Sequence, residues 1–271
     1  MEKLTNIIEE FIKENDYFII PINKDYSTIV FCMPYNPYKM LDKNYGMIDS
    51  YYYTSNKSYF VAKELIDKLN KNGYNARLSN EFIKPLVVKA NFGEKLKTTL
   101  VAVENYGTKV VFQAIDISGE FVKLGNYKAK NLCENCNKCV IACPNNTLDN
   151  SFERIKCLRN FQDLVDLGET EDKKHQANKI IGCDICQRVC PYNKDVKEVE
   201  MPPDLKEFLR LDNLLIKARE GKKGLEFLLP HIGKNFLRVK RIRRMTVNAI
   251  LNSGNKDFIS LLSDEELNNT F

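Results

Sequence analysis

The sequence lacks several features that would place it in a familiar class. None of its apolar runs reaches the eighteen or more residues that a membrane-spanning helix needs. Residues 1–5 lead into an amphipathic pattern and lack the basic, apolar and small-residue regions of a signal peptide. The sequence contains neither a phosphate-cradling glycine-rich loop nor a nucleophile elbow, so kinase and hydrolase functions have no support. We therefore expect a cytoplasmic protein with another kind of chemistry and no membrane partner.

Charge and composition set only broad limits. The formal net charge is +5, a mild excess that fits almost any partner. Of the 271 residues, 44% are hydrophobic and 10% are aromatic, which is enough to bury a real core. The length allows one large domain or two modest ones.

Nine cysteines are the strongest signal in the sequence. Structural disulfides are rare in reducing cytosol, so clustered cysteines there indicate metal or redox chemistry. Cys32 stands alone in a predicted strand and is expected to be a small buried hydrophobe. The other eight form a C-x₂-C-x₂-C-x₃-C-P motif, an isolated cysteine and a C-x₂-C-x₃-C-P motif; they are Cys133, Cys136, Cys139, Cys143, then Cys157, then Cys183, Cys186 and Cys190.

This spacing predicts two [4Fe–4S] clusters, because each cluster needs four thiolates and the cysteine before the proline ligates the cluster of the other motif. Paired C-x₂-C motifs also hold zinc, but the repeated x₂ spacing and both Cys-Pro endings argue against zinc. The isolated cysteine completes the second set of four. The predicted sets are Cys133, Cys136, Cys139 and Cys190 for one cluster, and Cys143, Cys157, Cys183 and Cys186 for the other.

Helix and strand patterns are mixed up to about residue 117 and helical afterwards, with no strand signal from 130 to 192. Residues 36–57 read as a long, tyrosine-rich structured loop, followed by a helix with Gly73 just past its end. A further helix is predicted from about residue 235 to 251. We expect an α+β fold with an N-terminal α+β domain over 1–125, a ferredoxin-like double [4Fe–4S] domain over 126–200 and a short helical tail over 201–271.

The second motif reads Gly-Cys-Asp-Ile-Cys-Gln-Arg-Val-Cys-Pro-Tyr-Asn from Gly182 to Asn193, and it resembles the epoxyqueuosine reductase family. The resemblance extends upstream through residues 85–93, Lys97, residues 105–107 and Phe112. It implies a nitroreductase-like, cobalamin-binding N-terminal domain, related in fold to that of reductive dehalogenases. It also implies that the clusters pass electrons to cobalamin, which reduces epoxyqueuosine in tRNA. On the matching positions, Lys97, Tyr106, Gly107 and Asn193 are expected to bind the cofactor.

The chain departs from the family pattern at three places. The family's Gly-x-Gly-x-x-Gly-Lys-Asn stretch reads Asn-Phe-Gly-Glu-Lys-Leu-Lys-Thr at residues 91–98, so two glycines and the asparagine are missing. Arg77 falls where the family has a proton-donating acid, which leaves the catalytic residue unknown. Neither histidine, His175 or His231, has the sequence context of a lower cobalt ligand, and His175 is expected to be a solvated surface residue.

The segment from Lys234 to Arg244 carries six basic residues and no acid, interleaved with apolar residues. It is consistent with a helix that presents a basic face to tRNA phosphates, or with an ordinary solvated helix face. Two functions therefore remain open. One is a corrinoid and iron–sulfur reductase acting on tRNA, served by an external low-potential electron donor. The other is an electron-transfer protein or corrinoid reductase that keeps the scaffold but lacks the tRNA reaction.

Overall fold

A computed structural model of the chain describes residues 2–15, 18–23, 27–118, 126–162 and 175–268. The chain divides into two compact units, and neither is a continuous stretch of sequence. The predicted division at residues 125 and 200 stays a prediction, and its first boundary adjoins residues 119–125, which lie outside the described ranges. The first unit comprises Met1–Tyr35, Thr54–Asn137 and Val189–Val196, and the second comprises Asn36–Tyr53, Lys138–Arg188 and Lys197–Phe271.

The first unit is built on a four-stranded antiparallel sheet of order β1-β2-β7-β4. A second, two-stranded antiparallel sheet pairs β5 with β6. The strands are β1 (Phe18–Asn23), β2 (Ser27–Pro34), β4 (Arg77–Leu78), β5 (Gly93–Lys95), β6 (Val101–Val103) and β7 (Val110–Ile117), and the helices are α1 (Glu2–Asn15), α2 (Tyr51–Lys71, from Thr54 onward) and α3 (Ile83–Lys89).

Strand β2 is buried on both faces, and its alternating side chains serve two cores. Ile29, Phe31 and Met33 pack with the apolar residues of α1 and α2. Val30 and Cys32 point the other way and pack with residues of α3, β6 and β7. Cys32 is only 2% exposed, and burial raises the pKa of its thiol to about 12, so the prediction of a small buried hydrophobe is confirmed.

The second unit is mainly helical, with one short parallel pair between β3 and β8. Its single large core is lined mainly by leucine, isoleucine and methionine side chains. The strands are β3 (Met47–Ile48) and β8 (Lys179–Ile181), and the helices are α4 (Lys138–Ala142), α5 (Leu158–Phe161), α6 (Ile185–Arg188), α7 (Pro203–Phe208), α8 (Leu211–Arg219), α9 (Leu229–Ile232), α10 (Val239–Ser253), α11 (Lys256–Ile259) and α12 (Asp264–Leu267).

Three local predictions were wrong. Helix α2 begins at Tyr51, inside the predicted loop, because the Asp49 carboxylate accepts the Tyr51 N–H at 3.0 Å and starts the first turn. Strand β8 is three residues long, too short to carry a periodic signal of its own. Helix α10 begins at Val239 rather than near residue 235, because Arg238 has an extended backbone.

Glu266 is a buried carboxylate of the second unit that several donors hold in place. Its side chain is fully buried, and its carboxylate accepts hydrogen bonds from Arg219 Nε at 3.0 Å and Arg243 Nε at 2.8 Å. It also accepts the Ser263 N–H at 3.0 Å and completes a capping box at the start of α12. Burial raises its pKa, but the hydrogen bonds from Arg219, Ser263 and Arg243 outweigh burial and lower the pKa to about 2.

The free energy of unfolding should therefore fall in acid, because protonation of Glu266 removes these interactions. A folded-state pKa of about 2 lies below the ordinary value of about 4.3, so the stabilisation is complete above pH ~5 and is lost as pH falls towards 2. Between those limits Glu266 accounts for about 3 kcal/mol of unfolding free energy. Urea unfolding of the wild type and Glu266→Gln from pH 7 to pH 3 measures this: the difference between them should shrink as pH falls. Exposed Glu226→Gln is the control and should leave the pH dependence unchanged.

Candidate functional site

The cysteines of the second unit lie on short helices or in the segments next to them. Helices α4 and α6, which carry Cys139 and Cys186, pack against each other. The pKa of Cys186 is raised, first by burial and then by the nearby charges of four thiols, which are Cys183, Cys157, Cys139 and Cys143. The chain therefore brings cysteines from both motifs, and the isolated cysteine, to one place.

This crowding has a chemical consequence. Burial also raises the pKa of Cys183 to about 11, although the Ile185 N–H and Lys179 oppose the effect and Cys157 and Asp184 add to it. Several thiolates cannot ionise side by side in a buried site unless cations compensate their charge. Iron ions bound by the thiolates would supply that compensation, since metal binding displaces the thiol protons.

The first unit holds the other group of cysteines. Cys190 is buried in a small apolar cluster with Leu96 and Ala102, and Cys133 and Tyr192 pack against that cluster. Cysteines from the first and second motifs therefore also approach each other in this unit. None of the nine cysteines, all within the described residues, forms a disulfide.

Residues 93–97 hold the loop that leads into the first motif. The Glu94 carboxylate accepts hydrogen bonds from Tyr127 Oη at 2.8 Å and from the Lys130 N–H at 3.0 Å. Burial raises the pKa of Glu94, but hydrogen bonds from Tyr192, Lys130, Tyr127 and Asn131 outweigh burial, and the pKa is lowered overall. Tyr192 Oη in turn accepts the Leu132 N–H at 3.0 Å, one residue before Cys133.

Lys97 holds the same loop at its other end. Its Nζ donates to the Cys136 carbonyl oxygen and to Asn137 Oδ1, each at 3.0 Å. Sequence reasoning assigned Lys97 to a cofactor and did not single out Glu94. Neither contact has a sequence signal, because each joins residues more than thirty positions apart.

The other three residues predicted to bind a cofactor also have partners within the first unit. Asn193 Oδ1 accepts the Thr108 N–H at 2.7 Å, and its Nδ2 donates to Thr108 Oγ1 at 2.9 Å. A Cβ at Gly107 would lie 2.1 Å from Asn193 Oδ1, so this glycine allows the segment after Cys190 to approach. Tyr106 packs against the core beside α3. All of these contacts are within the protein, and the assignment of these residues to a cofactor stays a prediction.

Arg77 and His175, which the sequence also singled out, each lie close to a polar side chain. Arg77, at the position of the family acid, is exposed, and its Nε lies 3.8 Å from Asp116 Oδ2. His175 is half-buried and its Nδ1 lies 2.6 Å from Asn145 Oδ1, so the expectation of a solvated surface residue was wrong. Among the described residues, no group of three or more His, Cys, Asp or Glu side chains is arranged to hold a single metal ion. In the same ranges, no helix is both long enough and apolar enough to cross a membrane.

The basic segment contributes less open positive charge than its sequence suggests. Of its six basic residues, three are exposed, namely Lys234, Arg238 and Lys240. Arg243 is held by Glu266. Arg241 lines a cleft of about 320 Å³, mouth included, together with Arg159, Gln162 and Phe236.

Comparison with known proteins identifies the cysteine region. Residues 132–193 match the family model described as a 4Fe-4S double cluster binding domain. All eight cysteines outside β2 fall within this match. The chain therefore contains an iron–sulfur domain of the two-cluster type, as the spacing predicted, and this favours iron–sulfur clusters over zinc.

Curated relatives and solved structures extend the similarity. An epoxyqueuosine reductase of Listeria monocytogenes is 30% identical over 145 residues, 49% of this chain and 38% of that protein. One from Bacillus subtilis is 27% identical over 170 residues, 60% of this chain and 42% of that protein. The matches thus span well under two thirds of these relatives. They confirm the predicted resemblance to epoxyqueuosine reductases.

Two solved structures share the fold. Epoxyqueuosine reductase of Streptococcus thermophilus aligns with a TM-score of 0.72 and 20% identity, covering 91% of this chain and 70% of that one. An epoxyqueuosine reductase crystallised with an epoxyqueuosine-modified tRNA-Tyr stem loop aligns with a TM-score of 0.71 and 18% identity, covering 86% and 66%. These alignments confirm a mixed helix-and-strand fold.

Proposed function

We propose that the chain is a cytoplasmic iron–sulfur reductase of the epoxyqueuosine reductase type, which takes single electrons from an external low-potential donor and delivers them to a tRNA-borne substrate. The observation that carries the proposal is the packing of α4 against α6, which brings Cys139 of the first motif and Cys186 of the second motif together. We assign Cys133, Cys136, Cys139 and Cys190 to one [4Fe–4S] cluster and Cys143, Cys157, Cys183 and Cys186 to the other.

The chain's own residues have defined tasks in this proposal. The cysteine thiolates hold the clusters. Glu94, Tyr192 and Lys97 hold the segment from Lys130 to Asn137, which contains the first two cysteine ligands in the chain. A fixed loop keeps the ligand geometry, and with it the cluster potential, constant through turnover. Exposed Lys234, Arg238 and Lys240 are the cations proposed to contact tRNA phosphates.

Two finer assignments belong to the proposal. We infer a nitroreductase-like N-terminal domain over 1–125, a ferredoxin-like domain over 126–200 and a helical tail over 201–271, supported by the sheet with helices on both faces in the first unit. The resemblance also implies cobalamin between clusters and substrate. This part of the proposal rests on the resemblance alone, because Lys97, Gly107 and Asn193 contact other groups of the protein.

The second candidate function is an electron-transfer protein without the tRNA reaction. This function is favoured by the protein contacts of Lys97, Gly107 and Asn193, and by the presence of Arg77 at the position of the family acid. Anaerobically reconstituted protein with dithionite separates the two. Conversion of epoxyqueuosine-containing tRNA supports the reductase. Cluster reduction without conversion, with or without added cobalamin, supports electron transfer alone, and a lack of visible-absorption change on adding cobalamin excludes a corrinoid acceptor.

The loop contact at Glu94 gives a test of the cluster assignment. Glu94→Gln replaces a charged acceptor of several hydrogen bonds by a neutral amide, which should destabilise the first unit by roughly 1–3 kcal/mol. The loss of a nearby negative charge should also raise the reduction potential of one cluster. Potentiometric titration monitored by electron paramagnetic resonance measures the shift. Glu64→Gln, on an exposed face of α2, is the control; equal potentials in both variants would contradict the assignment.

A further inference from the structure

We propose that one surface of the second unit docks a small acidic electron-carrier protein, which delivers electrons to the cluster assigned to Cys143, Cys157, Cys183 and Cys186. The proposal rests on the proposed iron–sulfur function and names where the donor binds. The docking surface consists of Lys138, Ile141, Arg154, Ile155 and Lys156.

Two apolar side chains at the centre of this surface are almost fully solvated. Ile141 is 83% exposed and Ile155 is 77% exposed. A single exposed apolar residue needs no explanation, but a group of them at one site indicates an interaction surface. Ile141 precedes Cys143 by two residues and Ile155 precedes Cys157 by two residues, so both are tied to ligands of the same cluster.

A hydrogen bond places the two segments side by side. Asn145 Nδ2 donates to the Lys156 carbonyl oxygen at 2.9 Å, which joins the chain after Cys143 to the chain before Cys157. The two isoleucines therefore flank one cluster rather than two separate parts of the surface.

The charged residues around the two isoleucines indicate the charge of the partner. Lys138 and Ile141 are three residues apart on α4 and share a face, and Arg154 and Lys156 bracket Ile155. Among the described residues, Glu153 is the carboxylate paired with this group, and its Oε1 lies 2.8 Å from Lys156 Nζ. Three cations against one carboxylate favour an acidic partner, and complementary charge speeds the encounter of electron-transfer proteins.

Burial of the cysteines indicates that electrons enter here. All four cysteines assigned to this cluster are partly exposed, whereas in the other set Cys133 and Cys136 are partly exposed and Cys139 and Cys190 are buried. An electron from a docked carrier therefore has its shorter path through this cluster. One electron leaves the carrier and enters one cluster, whose net charge falls by one.

Anaerobic stopped-flow reduction of the holoprotein by a reduced acidic flavodoxin tests the proposal. We expect the triple variant K138E/R154E/K156E to lower the second-order rate at low salt about tenfold or more, with a smaller effect at high salt. I141S/I155S should lower the rate at both salt concentrations. The charge control is K222E/K223E, an exposed pair in the turn after α8, and the apolar control is I216S, on the exposed side of α8.

Reduction by dithionite separates the possible failures. If the docking variants are reduced by dithionite at the wild-type rate but by flavodoxin more slowly, the result supports the docking surface. Equal flavodoxin rates in all variants would overturn it, as would variants that lose only tRNA affinity, because the surface would then belong to RNA. Wild-type clusters that dithionite cannot reduce would overturn the proposed function itself, and the docking proposal with it.

Discussion

Replacing Cys157 by serine is expected to remove one of the two clusters and leave the other, so that iron falls from about eight to about four atoms per chain. Cys157 lies outside both spaced motifs, yet its charge acts on both Cys183 and Cys186. Serine is a poor ligand for iron in such a cluster, and three thiolates do not fill four sites. Iron and acid-labile sulfide analysis after strictly anaerobic reconstitution measures the loss.

The matched control is Cys32→Ala. Cys32 is also buried, but it belongs to the core beside α3 and is expected to bind no metal. This variant should keep both clusters and lose only the packing of one small side chain, about 1–2 kcal/mol. Cys157→Ser protein that retains all its iron, or wild-type protein that binds zinc in place of iron, would contradict the cluster assignment.

Signals confined to short stretches of sequence predicted much of this molecule correctly. The cysteine spacing and the two prolines identified the double-cluster domain, because a chain that wraps a cube needs short, regular intervals between ligands. Gly73 adopts a φ of +87° just past α2, as expected of a residue that ends a helix.

Contacts between distant segments were the part that sequence could not supply. Glu94 and Lys97 hold a loop thirty or more residues away, and Asn193 pairs with Thr108 across 85 positions. The resemblance assigned Lys97 and Asn193 to a cofactor because matching positions were the only information available. Side-chain direction and partner depend on tertiary packing, which neither periodicity nor spacing encodes.

Gly107→Ala is expected to be the most damaging single change of a glycine in the first unit. Gly107 has a φ of +53°, where an L side chain is strained by roughly 1–2 kcal/mol. A Cβ there would also lie 2.1 Å from Asn193 Oδ1 and 2.4 Å from the Tyr192 carbonyl oxygen. Overlap with backbone cannot be relieved by a side-chain rotation, so we expect a total loss of about 3 kcal/mol or more. Denaturant unfolding of the anaerobic protein measures it.

Gly73→Ala separates the two sources of that loss. Gly73 lies in the same unit with a φ of +87°, but a Cβ there meets nothing within 4 Å. This control should therefore show only the backbone strain, about 1 kcal/mol, and keep its full iron content. In Gly107→Ala the displaced segment is the one that follows Cys190, so iron bound per chain should also fall towards half. Equal stability and equal iron in the two variants would mean that the approach of Asn193 to Gly107 does not hold Cys190 in position.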